Sequence, residues 1–210
     1  MDLKKLKEEQ IRLSRKLELK DSLEKTELYG GADQAFYKDN IISCFVVLDK
    51  DLRLVEKQTA IIQSKIPYIP GFLGYREGPA ILEAYNKIEN KPDVIFVDGN
   101  GILHPRRFGM ASQIGLILGK PSIGVAKKLL CGELQDDKVM MEDKVVGKAV
   151  KTKEHSNPLY VSPGNMISLK TAVELVKKTI VEPHKMPEPL HLAHKFSKQK
   201  RDQMDNPNME

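Results

Sequence analysis

Residues 41–48, IISCFVVL, are uncharged and almost wholly apolar. A strand with no polar face must be covered on both sides, so this run commits the chain to layers above and below a sheet. PDVIFVD (92–98) and PSIGVA (121–126) repeat the pattern as short, central strands. Between and after them apolar residues recur at helical spacing: Ile81, Leu82, Tyr85 and Ile88 within 75–89, and Met110, Ile114 and Leu118 within 107–118. Further helices are predicted at 168–180 and 189–200. LYGGADQAF (28–36) reads as a strand, and 40–63 as a hairpin turning at Asp49-Lys50-Asp51, its second arm nearer a sheet edge. KVVGKAVKT and PLYVSP supply later strands. Residues 3–27 read as an N-terminal helix carrying Leu3, Leu6, Ile11, Leu13 and Leu17, and the polar tail from 197 is expected to fray. Strands first, then strands alternating with helices, predict one α/β domain over 1–210, a mixed β-sheet flanked by helices.

With 210 residues the chain has one sizeable core and too little length for two full domains. No apolar stretch is long enough to span a bilayer. MDLKKLKEEQIRL lacks the apolar block of a secretory signal, so no membrane partner and a cytoplasmic location are expected. Cys44 and Cys131 have neither CxxC spacing nor zinc-type histidine neighbours. The excess of 34 basic over 29 acidic residues, +5, permits an anionic partner without requiring one.

Chemistry gathers at the breaks between elements. Asp33, Glu77 and Asp98 are read there: after a strand, at a helix start and after a central strand. Carboxylates so grouped suit magnesium, which accepts few protein oxygens and leaves room for water and phosphate. Taken singly, each has a plainer reading. Asp98-Gly99 is a common turn pair, Asp33 can cap a loop, and Glu77 suits the helix macrodipole. Arg106 and Arg107 could meet phosphates or end a solvated helix. Lys127 and Lys128 could neutralise charge on a phosphate or simply lie on the surface.

Beyond these residue-level readings, the chain resembles endonuclease V, the deoxyinosine-directed repair nuclease family with a ribonuclease H-like fold. The likeness runs in family order through GGAD, PYIPGFLGYREGP, KPDVIFVDGNGILHPRRFGMAS, PSIGVAK, YVSPG and PEPLHLAH. It implies a magnesium-dependent cut (manganese substituting) at the second phosphodiester 3′ to deoxyinosine, leaving a 3′-hydroxyl and a 5′-phosphate. DNA is the implied partner, with inosine-containing RNA or another ribonuclease H-like nuclease activity the alternative, and the protein is expected to act as a monomer.

By motif position, the resemblance makes Asp33 and Asp98 the principal metal ligands and Glu77 their companion through water. His194 would orient or deprotonate water, and Lys127 would support the phosphate. Pro67, Tyr68, Ile69 and Pro70 would form a stiff wedge that fills the gap left by an extruded base. Gly71, Leu73, Gly99, Gly101, Gly109 and Gly124 would surround that base. His104 would sit beside it, on DNA or organising the loop, and Arg106 would reach phosphate. Ala32 replaces a usual valine, and Gln113 a common histidine.

Overall fold

The computed structural model of the chain describes residues 2–206. The apolar run is the body of β2 (Asn40–Leu48), buried from Ile41 to Leu48. β2 pairs antiparallel with β1 (Tyr29–Tyr37) and with β3 (Leu54–Gln63), and β3 ends the sheet as its alternation predicts. The hairpin turn is held by Asp49, whose Oδ1 accepts from the backbone N–H of Asp51 and of Arg53, both at 2.9 Å. β4 (Val94–Asp98) runs parallel to β1, and β5 (Ser122–Ala126) parallel to β4. β6 (Glu133–Gln135), β7 (Lys138–Met141), β8 (Lys144–Val150) and β9 (Leu159–Asn165) continue the sheet antiparallel, in the order β3-β2-β1-β4-β5-β9-β8-β7-β6. The β6–β7 hairpin is absent from the sequence reading, because β6 is three exposed residues with no apolar face.

Side chains alternate across strands, so each central strand feeds two cores. Tyr29, Phe96, Ile123 and Val125 pack with Ala172 and Val176 of α4 (Leu169–Lys178) and with Leu190 of α5 (Glu188–Asp205). Ala32, Ile95 and Val97 face the other way, onto α2 (Leu73–Asn86) and α3 (Met110–Leu118), through Ile81, Tyr85 and Ile114. α2 tolerates an internal Pro79 because Ile81 and Tyr85 are buried beyond it. Burying each is worth about 1.5–3 kcal/mol, against roughly 3 kcal/mol for the proline.

Three expectations need correction. The N-terminal helix, α1, spans Leu3–Ser14 and does not reach 27. Past it the backbone bonds across the molecule: Glu18 N–H donates to Asn165 Oδ1 at 3.1 Å, and the Asp21 carboxylate accepts from Ser168 N–H at 2.7 Å. α3 starts at Met110 instead of 107, because Arg107 takes a left-handed conformation with φ 55°. The segment from 197 is helical through Asp205, anchored by buried Ser197. Residues 207–210 of that predicted tail lie outside the described residues. Among the described residues, no helix is long and apolar enough to cross a membrane.

Candidate active site

Asp98 is the last residue of β4. Asp33 lies inside β1, not after it as the sequence suggests. The parallel register pairs Ala32 with Val97, so Asp33 and Asp98 come next at one level and on one face of the sheet. Glu77 is likewise not at the start of its helix but in the second turn of α2, and it is buried. A solvated helix-start charge therefore no longer explains it. Lys127 follows β5 directly, and His194 projects from α5. These five residues line one cleft, together with Gln34, Phe36 and Arg76.

Two close side-chain pairs hold the cleft. His194 Nδ1 lies 2.7 Å from Asp33 Oδ2, and Lys127 Nζ donates to Asp98 Oδ2 at 2.6 Å. Burial and then the charge of Asp98 push the Asp33 carboxyl up to about 6. Burial pushes Glu77 up to about 7, with Arg76 opposing and Asp98 and Asp33 adding to the rise. Burial works against the Lys127 ammonium, yet Asp98 holds it above the ordinary lysine value. Three acids thus share a space that disfavours their combined charge.

A second cavity adjoins the cleft. Of the residues expected around a base, Tyr68, Pro70, Gly71, Leu73, Gly99, His104 and Gly109 line it. Pro67, Ile69, Gly101, Gly124 and Arg106 do not. Tyr68 is 64% exposed and belongs to the walls of both cavities. Gly101 and Gly124 work behind the pocket. A Cβ on Gly124 would stand 2.2 Å from the Gly101 nitrogen, and one on Gly101 would stand 2.0 Å from the Pro163 oxygen. Only bare backbone lets the Asn100–Gly101 segment pack directly against β5 and β9. The Gly101 N–H is already given to Ser162 Oγ at 2.9 Å.

The two arginines turn inward instead of toward phosphate. Arg106 Nη2 donates to the Gly71 carbonyl at 2.7 Å, and its guanidinium lies 4.6 Å over the Phe72 ring. Arg107 donates to the Met141 carbonyl at 2.8 Å. His104 is buried, with Nε2 3.1 Å from the Gly71 oxygen and Nδ1 accepting from Arg106 N–H at 3.2 Å. Burial, then Arg106, pushes it down to about 4, so the ring stays neutral and organises the loop.

Gln10 escapes the sequence reading. It lies 2% exposed on an otherwise solvated helix, lines the second cavity, and donates to the Gly71 carbonyl at 3.0 Å and the Phe108 carbonyl at 3.3 Å. Its Oε1 accepts from Arg106 Nε. A glutamine among lysines and glutamates gives no local sign of this. Asn100, Phe108 and Met110 also line the cavity unannounced.

With this geometry in place, likeness to known proteins can be read against it. Residues 11–195 match the family model for Endonuclease V. The chain belongs to the endonuclease V family. An endonuclease V of Dictyoglomus turgidum is 42% identical over 203 residues, covering 92% of this chain and 87% of that one. The crystal structure of endonuclease V from Bacillus subtilis superposes with a TM-score of 0.91 at 27% identity, covering 99% of this chain and 95% of that one. Endonuclease V of Ciona intestinalis, solved with a 24mer DNA containing an inosine followed by a ribo-adenosine, superposes at 0.86 with 28% identity and covers 96% and 98% of the two chains. The mixed α/β fold of the family, a sheet with helices on both faces, is therefore the fold of this chain.

Endonuclease V nucleases are metal-dependent, and the acid cleft fits a hard divalent ion. Its donors are carboxylate oxygens, and a dication would offset the burial and mutual repulsion that raise Asp33 and Glu77. The cleft is open rather than a tight cage. Among the described residues, the set of three whose ligand atoms all lie within 4.8 Å of one another is His184, Glu188 and His191, elsewhere on the surface. A wider acid set suits a hard divalent ion that keeps several waters and takes one or two carboxylates directly. The family departures are absorbed: Ala32 is fully buried against α2 and α3, and Gln113 fits its Oε1 against Gly74.

Gln10→Ala is expected to lower the stability of this endonuclease V by about 1–3 kcal/mol, because Phe108 loses a buried donor and Arg106 an acceptor. Urea denaturation reads the change; a wild-type midpoint would show that the three bonds are dispensable.

Proposed function

We propose that this endonuclease V recognises deoxyinosine in DNA and hydrolyses the second phosphodiester 3′ to it, leaving a 3′-hydroxyl and a 5′-phosphate. One observation carries the reading: Tyr68 is the common wall of the acid cleft and the glycine-lined cavity. A side chain there can fill the gap of an extruded base while the base enters one cavity and the strand crosses the other. The Ciona intestinalis complex with inosine-containing DNA supports the same assignment.

Magnesium held by Asp33 and Asp98, with Glu77 through water, would act as a Lewis acid on the scissile phosphate and lower the pKa of an attacking water. Manganese takes the same oxygen donors and would substitute. His194, tied to Asp33 through Nδ1, keeps Nε2 to take the proton of that water. Water oxygen bonds to phosphorus, the 3′ oxygen leaves with a proton, and the phosphate stays on the 5′ side. Lys127 moves from Asp98 toward the phosphate to offset its growing charge. In the cavity, hypoxanthine offers a ring N–H and a keto oxygen where adenine offers an acceptor and an amino group. A wrong edge leaves buried polar groups unpaired.

The deciding experiment is nicking of a duplex with one deoxyinosine, with magnesium or chelator, mapping the cut. Inosine in single- and double-stranded RNA is the comparison; cleavage confined to RNA would replace the DNA reading. Tyr68→Ala should lose about 1–3 kcal/mol of preference for lesion over undamaged duplex, the worth of a stacked aromatic. Unchanged preference in a binding titration would remove the wedge.

A further inference from the structure

At the start of α5, on the surface and outside the acid cleft, His184, Glu188 and His191 bring one ligand atom each to within 4.8 Å of one another. His184 Nδ1 lies 2.8 Å from Glu188 Oε2, and the imidazoles of His184 and His191 stack with centroids 3.5 Å apart and planes 14° apart. Glu188 is only 9% exposed, so its carboxylate is costly to bury without a cation. The backbone draws the three together. His184 N–H donates to the Val181 carbonyl at 2.8 Å and Glu188 N–H to the Thr179 carbonyl at 2.7 Å, folding 181–188 back on itself. Glu188 and His191 lie three apart on α5 and therefore on one face.

We propose that His184, Glu188 and His191 form a binding site for a borderline divalent transition ion of the zinc, cobalt or nickel class. Two imidazoles and one carboxylate are a donor set that these ions favour and that magnesium, which prefers oxygen, does not. Three protein ligands leave a position for water. An ion with bonds near ~2.0–2.1 Å needs its ligand atoms roughly 3.3 Å apart, so the cluster must tighten around it. The stacked rings hold their in-plane lone pairs in separate planes, so binding turns at least one ring out of the stack.

The site has a structural consequence. His194, one turn beyond His191 on the same helix, contacts Asp33. An ion at the base of α5 fixes the first turn of the helix that carries that contact. It is chemically separate from the magnesium chemistry, and its presence does not depend on which nucleic acid is cut.

The test is a titration of the full chain with cobalt(II) alone, under saturating magnesium to occupy the cleft, followed by visible absorption and calorimetry. One equivalent should bind with the absorption of a nitrogen-ligated ion. His191→Gln and His184→Gln should each weaken it at least ~10-fold, as loss of a ligand does. Both histidines are partly exposed, and thermal melts establish that the variants remain folded. Asp98→Ala should retain the cobalt signal. An unchanged signal in the doubly substituted His184→Gln/His191→Gln chain, or its loss in Asp98→Ala, would overturn the proposal and place the ion elsewhere.

Discussion

Asp98→Ala should lose nicking by about 10³-fold or more while keeping most of its affinity for a deoxyinosine duplex, and Asp33→Ala should do the same. Asp98 ends β4 and Asp33 lies level with it on β1, both on the face of the sheet that meets α5. Taking away either removes a proposed ligand oxygen and the anchor of a neighbouring group: Lys127 loses its 2.6 Å bond to Asp98, and His194 its 2.7 Å contact with Asp33. A lost metal contribution of several kcal/mol is worth about three powers of ten in rate. Binding should survive because the pocket is built by different elements, the 67–72 loop and the Gly99–Gly109 loop. Single-turnover nicking and a fluorescence binding titration separate the two effects. Wild-type turnover by either variant would remove that acid from the chemistry, and loss of binding in step with cleavage would mean a structural role.

Metal-free protein should become less stable as pH rises from 4 to 7, and magnesium should restore most of that loss at pH 7 and little at pH 4. Asp33 is raised to about 6 and Glu77 to about 7 in the folded chain, by burial first. A carboxyl whose folded pKa is raised contributes stability that is complete below the unfolded value near 4 and is lost as pH rises through the folded value. The window is therefore about pH 4 to 7, and the protonated acids are the stabilised form. The pair should be worth at most about 6 kcal/mol, roughly 12–24 °C in midpoint for a chain of this size. Magnesium requires the ionised acids, so its stabilisation must grow over the same window. Differential scanning calorimetry with chelator or magnesium, for wild type and Glu77→Gln, measures this. A flat chelated midpoint across the window would mean that the acids do not share one buried charge.

Much of the fold was legible because its signals are local. IISCFVVL names a doubly covered strand by its lack of a polar face, and β2 is buried along that run. Ile81, Tyr85 and Ile114 recur at helical spacing, and all three are buried against the sheet. The acidic residues were visible individually, yet none of their plainer readings could be dismissed by spacing. Asp33 and Glu77 were even placed at the wrong points of their elements, inside a strand and a helix instead of beside them.

By itself, then, the sequence determined the layered α/β class, most strands and helices, and the residue types from which a phosphodiester site could be assembled. Tertiary structure alone decided that Asp33 stands level with Asp98, that Arg106 points at Gly71 instead of solvent, and that Gln10 ties α1 to the pocket. It also ended α1 at Ser14, where the following backbone bonds to Asn165 and Ser168. The physical reason is range. Side-chain periodicity reports the environment within a turn or a strand, whereas these bonds join residues tens to more than a hundred positions apart, and their partners are chosen by strand order and register, which no local pattern encodes.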